Sequence, residues 1–318
     1  MSEAVTITID GIPTVIPAGS TILDGCSREG VDTPTLCYLE SLTPVNACRV
    51  CVVEVEGSRT LVPSCSRVAE DGMVVQTDSD RVRHSRKMVL EFLAGSVDLS
   101  TADDDLSRWT ERYAVDTERY GPIAPPANDR DSRQAGHHHP VTDGSMAETV
   151  EQPAKVDNDL YMRDYSKCIL CYKCVEACGT DAQNTFAIAV AGRGFDARIS
   201  TEFDVGLTDS ACVFCGNCIG VCPTGALMFR SEYELRQADL WHEDEQAVTR
   251  TVCSYCGVGC NLDLHVQDNR IVKVTSPLDH SVTSGNLCIK GRFGYEYVQE
   301  LGDLADTPID EVLRAARS

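Results

Sequence analysis

Two stretches of this 318-residue chain share one spacing, Cys168-x2-Cys171-x2-Cys174-x3-Cys178 and Cys212-x2-Cys215-x2-Cys218-x3-Cys222-Pro223. Thiols spaced in this way can converge on one inorganic centre, and thiolate softness suits iron–sulfur clusters. The chain has seventeen cysteines: five at positions 26–65, none at 66–167 and twelve at 168–288, so the gap marks a linker. The N-terminus, Met1 to Asp10, alternates polar and apolar residues and lacks a charged n-region, an apolar h-region and a twin-arginine signal. No run approaches the roughly 20 apolar residues of a membrane span. A cytoplasmic, reducing location is therefore expected, where cysteines in this number imply metal or redox chemistry rather than a disulfide scaffold. The 28 basic and 49 acidic side chains leave a net charge of −21. That charge repels phosphate backbones and anionic lipid, which argues against nucleic acid as a partner; any membrane association would come through a partner.

Two further constellations depart from the repeated spacing. In Cys37-x10-Cys48-x2-Cys51-x13-Cys65 a close pair and two flanking cysteines can bring four thiolates to a two-iron core. Zinc fits it less well, because two-plus-two zinc sites usually show two close pairs. Cys253-x2-Cys256-x3-Cys260-x27-Cys288 has a three-residue gap and a distant fourth member, with Gly257 and Gly259 permitting tight turns. Cys26 is left over, on an expected helix, and reads as a small buried apolar residue.

The repeated run resembles two-cluster bacterial ferredoxins, in which three cysteines of each run hold one cube and the fourth crosses to the other. That resemblance implies one [4Fe–4S] cluster on Cys168, Cys171, Cys174 and Cys222, and another on Cys212, Cys215, Cys218 and Cys178. Gly179 stands where a proline follows the fourth cysteine in the second run. The first constellation, with Pro34-Thr35-Leu36-Cys37-Tyr38 and Cys48-Arg49-Val50-Cys51-Val52-Val53-Glu54-Val55, has ten residues where the plant-type spacing has four. It resembles the N-terminal [2Fe–2S] domain of the large iron–sulfur subunit of complex I, NAD-reducing hydrogenases and NAD-linked formate dehydrogenases. The last one, with Tyr255-Cys256-Gly257-Val258-Gly259-Cys260 and Gly285-Asn286-Leu287-Cys288-Ile289-Lys290-Gly291-Arg292-Phe293, resembles the [4Fe–4S] domain of molybdopterin oxidoreductases, formate dehydrogenases above all. By that resemblance Lys290 sits between cluster and pterin; the alternative is a surface lysine. The cofactors implied are one [2Fe–2S] and three [4Fe–4S] clusters.

The expected architecture is α+β and multidomain: a β-grasp [2Fe–2S] ferredoxin-like domain at 1–97, an acidic, Pro-rich linker at 98–158, a two-cluster ferredoxin domain at 159–240, a molybdopterin-oxidoreductase-type [4Fe–4S] domain at 250–300 and a C-terminal helix at 301–318. Locally, Val5–Ile9 and Thr14–Ile16 read as a hairpin around Gly11-Ile12-Pro13. Thr21 and Asp24 read as a helix start and Gly30 as its end. Strands follow at 51–56, 60–62 and 73–77, then an amphipathic helix from Arg81 to Leu93. Phe186–Val190 and Phe195–Ser200 read as an inserted hairpin, and Ser231–Trp241 as a helical connection. In the linker, His137-His138-His139 reads as solvated polar sequence rather than a metal site.

Four clusters without an evident substrate pocket make a wire. The resemblance implies a molybdenum- or tungsten-bis-pterin centre at the C-terminal end. Such relatives continue into a catalytic domain beyond the point corresponding to Ser318, so that centre is expected on a partner chain, and Thr307-Pro308 with Ile309, Val312 and Leu313 reads as a terminal helix. At the other end a flavin subunit reacting with NAD(H) is implied. Many complex I and hydrogenase relatives carry a His-plus-three-Cys cluster after the first domain. Here His84 has no cysteine companions between Cys65 and Cys168, which argues against complex I itself and shortens or reroutes the wire at that point. The expectation is an electron-transfer subunit, itself non-catalytic, of an NAD-linked formate dehydrogenase. The rivals are the diaphorase subunit of an NAD-reducing hydrogenase, in which the motif from Cys253 to Cys288 would have no role, another complex-I-like oxidoreductase, and a zinc-stabilised scaffold or assembly factor.

Overall fold

The computed structural model describes residues 4–120, 154–193, 197–278, 282–296 and 299. The histidine triplet, most of the Pro-rich stretch and the helix expected at 301–318 lie outside the described residues.

Alternating apolar residues fold the N-terminal region into the hairpin β1 (Ala4–Ile9) and β2 (Ile12–Pro17), turned by Asp10 and Gly11, both with positive φ. Helix α1 (Ile22–Arg28) follows, started by a capping box in which the Thr21 hydroxyl accepts from Asp24 N–H and the Asp24 carboxylate accepts from Thr21 N–H. Strands β3 (Val52–Val55), β4 (Val62–Pro63) and β5 (Val74–Gln76) complete a five-stranded sheet of order β2-β1-β5-β3-β4, with β1 and β5 parallel and the other pairs antiparallel. α1 packs closely on it: a Cβ at Gly25 would lie 3.0 Å from Ile7 Cδ1 and 3.1 Å from Ile9 Cδ1. Ile7, Ile9, Ile16, Ile22, Val53 and Val75 are fully or almost fully buried here, and each contributes about 1.5–3 kcal/mol. Cys26 is buried in the same core, as its isolation in the sequence suggested.

Helix α2 (Asp80–Ser96) is capped by the Ser79 hydroxyl and runs beneath β3. Its basic residues do not all face water. Arg86 is buried, donating to Tyr113 Oη at 2.7 Å and to the Val52 carbonyl at 2.9 Å. The chain then departs from the expected linker at 98–158: Asp103 caps α3 (Asp104–Arg112), whose Leu106 and Trp109 are buried with Tyr113 against Leu36, Val50 and Leu90. The acidic run Asp103-Asp104-Asp105 is thus a helix start, where carboxylates complement the dipole, and its apolar spacing is too short to show as a period.

In the cysteine-rich half, β6 (Tyr161–Arg163) leads to α4 (Lys173–Cys178) and the small hairpin β7 (Ala189–Ala191) and β8 (Arg198–Ser200). α5 (Asn217–Gly220) follows, then β9 (Leu227–Phe229), antiparallel to β6, and α6 (Arg230–Gln237). The last module is a three-stranded meander of β10 (Ala247–Val252), β11 (Asn261–Gln267) and β12 (Arg270–Thr275), followed by α7 (Ile289–Phe293). Its first strand begins at Ala247, before the expected boundary at 250. No helix among the described residues is long and apolar enough to cross a membrane.

Candidate iron–sulfur sites

The loop between α1 and β3 carries Cys37, Cys48 and Cys51, and Cys65 follows β4. Cys51 Sγ and Cys65 Sγ lie 3.4 Å apart, and Cys48 N–H donates to Cys37 Sγ at 3.4 Å. Asn46 and Arg49 take positive φ around Cys48, bending the loop there. Within each pair a hydrogen bond between the two thiols pulls one member down, Cys48 and Cys51, and pushes the other up, Cys37 and Cys65.

The two repeated runs fold as copies of each other. Leu170 and Tyr172 have φ of 51° and 64°, and the equivalent Phe214 and Gly216 have 54° and 69°. In both, the residue two after the first cysteine donates its N–H to that cysteine's Sγ at 3.4 Å. The left-handed turns bring three sulfurs of each run to one side, and α4 and α5 pack together. As a result one cavity is lined by Cys168, Cys171, Cys174 and Cys222, and a second by Cys178, Cys212, Cys215 and Cys218. The fourth cysteine of each run thus lies in the other run's cavity. Ala187 N–H donates to Cys178 Sγ at 3.2 Å, and Tyr161 Oη lies 3.1 Å from Cys212 Sγ, where it donates once that sulfur is a thiolate. Burial pushes Cys171 up to about 11 and Cys168 up to about 12, so an incoming cluster displaces protons from these thiols.

In the last module Cys253 N–H donates to the Cys260 carbonyl at 2.8 Å, and Gly259 turns with a φ of 71°. Cys260 lies within electrostatic reach of each of Cys253, Cys256 and Cys288, with Cys253 buried and Cys256 and Cys288 exposed. Lys290 is exposed, on α7 just past Cys288.

Four thiols per site, apolar walls and N–H groups aimed at sulfur fit an iron–sulfur cluster in the two central cavities. Among the described residues, no three His, Cys, Asp or Glu side chains gather tightly enough to hold a single metal ion. The sites also form a series. Cys48 and Ile169, the neighbour of Cys168, pack against one core, and Cys174 and Cys218 belong to another. Arg292, four residues after Cys288, donates to the Cys215 carbonyl at 2.9 Å. Tyr161, Asn217 and Arg292, to which the motifs assign no role, touch the second cavity's loop. For Arg292 a faint signal exists: the second run has Gly216 and Gly220 where the first has Tyr172 and Glu176.

Family models agree with this layout. A 2Fe-2S iron-sulfur cluster binding domain matches residues 2–80, a 4Fe-4S dicluster domain residues 167–226, and a molybdopterin oxidoreductase Fe4S4 domain residues 246–300. The chain is 32% identical over 294 residues to a G-type subunit of the NADH-quinone oxidoreductase of Rhizobium meliloti, covering 92% of this chain and 31% of that protein. It is 38% identical over 234 residues to NADP-reducing hydrogenase subunit HndD of Solidesulfovibrio fructosivorans, covering 70% and 36%. A putative formate dehydrogenase of Staphylococcus haemolyticus is 25% identical over 339 residues, covering 94% and 31%. The chain therefore spans about a third of the length of the curated relatives it matches. Among solved structures, an NAD+-reducing [NiFe]-hydrogenase in its H2-reduced state shares the fold with a TM-score of 0.56 at 24% identity, covering 71% of this chain and 87% of that one. The chain thus matches three iron–sulfur domain families in order and is similar, over about a third of their length, to G-type subunits of NADH-quinone oxidoreductases and to hydrogenase and formate dehydrogenase-like proteins.

Proposed function

We propose that the chain is an electron relay in an NAD-linked, cytoplasmic formate dehydrogenase complex, joining a flavin/NAD(H) unit to a molybdenum- or tungsten-pterin centre. The observation that supports it is the ordered series of cysteine quartets ending in a molybdopterin-oxidoreductase-type module. Cys37, Cys48, Cys51 and Cys65 would hold a [2Fe–2S] cluster, and each of the other three quartets a [4Fe–4S] cluster. Bound clusters supply one-electron carriers whose potentials follow net charge, sulfur hydrogen bonds and burial. The protein's part is to fix their spacing, direct N–H groups at sulfur and keep water from the inner sites. The exposed side of the last quartet, with Cys256, Cys288 and Lys290, is where the pterin centre would dock.

A second reading, the diaphorase subunit of an NAD(P)-reducing hydrogenase, draws on the 38% identity to the hydrogenase subunit. The two divide on the last module, which a formate-linked relay uses and a diaphorase does not. A zinc scaffold is disfavoured by the two central quartets, which line cavities rather than closing on one ion. Anaerobic purification with bound partners, metal analysis and formate-dependent NAD reduction test the proposal. Molybdenum or tungsten with formate activity is expected; nickel with hydrogen-dependent reduction, or zinc without iron, would overturn it.

A further inference from the structure

Arg292 is fully buried, and although it belongs to α7 its guanidinium lies in the neighbouring two-cluster unit. Nε donates to the Cys215 carbonyl at 2.9 Å, and Nη2 to Asn217 Oδ1 at 3.1 Å and to the Gly285 carbonyl at 3.2 Å. Nη1 is buried without a hydrogen-bond partner, and among the described residues no carboxylate pairs with the group. Every acceptor is neutral, whereas a buried, unpaired cation ordinarily costs several kcal/mol.

The surrounding backbone is shaped to receive this side chain. A Cβ at Gly216 would lie 2.3 Å from Arg292 Cδ, and one at Gly220 3.4 Å from both Nη atoms. Backbone conformation alone does not require glycine at 216, because Tyr172 holds φ at 64° in the equivalent place of the first run. The nearby groups able to carry negative charge are Cys215 and Cys218. As free thiols they are neutral; as ligands they are thiolates of an anionic cluster.

We propose that Arg292 is the fixed countercharge of the cluster at Cys178, Cys212, Cys215 and Cys218, and raises its reduction potential above that of the cluster at Cys168, Cys171, Cys174 and Cys222. The inference rests on the cluster assignment under the proposed function. Reduction adds one electron from the donor to the cluster and makes or breaks no bond. The added negative charge is stabilised by a buried cation at short range in a medium of low dielectric. The companion site has Tyr172 and Lys173 at the places of Gly216 and Asn217, and Lys173 is only half-buried, so solvent screens it. The electron therefore rests beside the C-terminal module, on the side from which Arg292 comes.

Redox titration of the full chain followed by electron paramagnetic resonance tests this, with C215A marking which [4Fe–4S] signal belongs to the site. R292Q and R292M are expected to lower the midpoint of that signal and leave the others in place, while R292K stays nearer the wild type. If C215A removes no [4Fe–4S] signal, the cluster assignment fails. If the signal is C215A-sensitive but titrates identically in R292Q and R292M, the countercharge is refuted. Should R292Q and R292M lose the cluster altogether, iron content decides: retention in R292K supports the charge, and equal loss in R292K overturns it in favour of packing by the planar fork.

Discussion

Replacing Cys222 separates chain order from spatial order. In the sequence Cys222 closes the run Cys212–Cys218, but its sulfur lines the cavity with Cys168, Cys171 and Cys174. A lost [4Fe–4S] cluster removes about four irons per chain. C222A and C174A then damage the same cluster, so the double variant loses about four irons, no more than the worse single variant. C222A with C218A damages two clusters and loses about eight. The mirror pairs are C178A with C218A, about four, and C178A with C174A, about eight, because Cys178 lines the second cavity. The design is a double-mutant cycle with iron as its readout, and the comparison between pairs carries the test even when a single variant keeps a partial cluster. The assay is iron and acid-labile sulfide per chain after anaerobic reconstitution of the full chain, with reduced spectra alongside. Additive loss in C222A/C174A together with no added loss in C222A/C218A would refute the crossing.

Trp109→Ala empties a buried site against Leu106 and Tyr113 and is expected to destabilise the protein by about 3–5 kcal/mol, read as a fall in the thermal midpoint; an unchanged midpoint would return this segment to linker. Cys26→Ala leaves iron content unchanged, and Cys26→Ser also does so while costing about 1–3 kcal/mol for a buried hydroxyl; loss of about two irons in either would make Cys26 a ligand. Thr21→Ala removes the capping box and costs about 0.5–2 kcal/mol by denaturant titration, whereas Thr21→Ser retains most of it; equal losses would refute the cap. Burial, then Lys273, hold the His265 imidazole below its ordinary value against Asp263, Glu243 and Glu232. The unfolded chain therefore takes the proton first, and stability tied to neutral His265 is present above about pH 6.5 and is lost as pH falls through the lower folded value. His265→Gln should flatten that acid limb in urea titrations at stepped pH; an unaltered limb would refute it.

The strands and first helix were legible because their signals are local. Val5–Ile9 and Thr14–Ile16 alternate, Gly11 supplies the turn, and Thr21 with Asp24 forms a reciprocal cap within one helical turn. The cysteine motifs were legible for the same reason, since three thiols of each run turn inward through backbone conformations confined to six intervening residues or fewer. What failed was whatever depends on distant partners. The stretch after Leu99 looked like linker because two large apolar residues in nine make a weak period, yet Trp109 and Leu106 complete a core begun by Leu36 and Val50 far earlier in the chain. The helix from Arg81 to Leu93 read as amphipathic, but nothing local marks its Arg86 as buried against the Val52 carbonyl, because Tyr113 and β3 come from elsewhere in the chain. Arg292 sits two residues from Lys290, and nothing in Lys290-Gly291-Arg292 tells the exposed cation from the buried one.

Those same residues revise what net charge says about this protein. A formal charge of −21 describes the surface, and it governs long-range encounter and solubility. It does not describe the field at the sulfurs. Among the described residues the largest fully buried side chains are Arg86, Arg163 and Arg292. Arg86 reaches the carbonyl next to Cys51, Arg163 lines the cavity of Cys178 and Cys212, and Arg292 reaches the Cys215 carbonyl. Arg163 is paired with Asp157, so its net contribution is small; Arg292 has no such partner among the described residues. Surface carboxylates act through water and are screened over about 8–10 Å, but a buried guanidinium acts through protein with little screening. Raising ionic strength should therefore weaken docking steered by the acidic surface while barely moving the redox midpoint at the Cys215 site. Parallel shifts in docking and midpoint would mean that the surface, not the buried arginine, sets the potential.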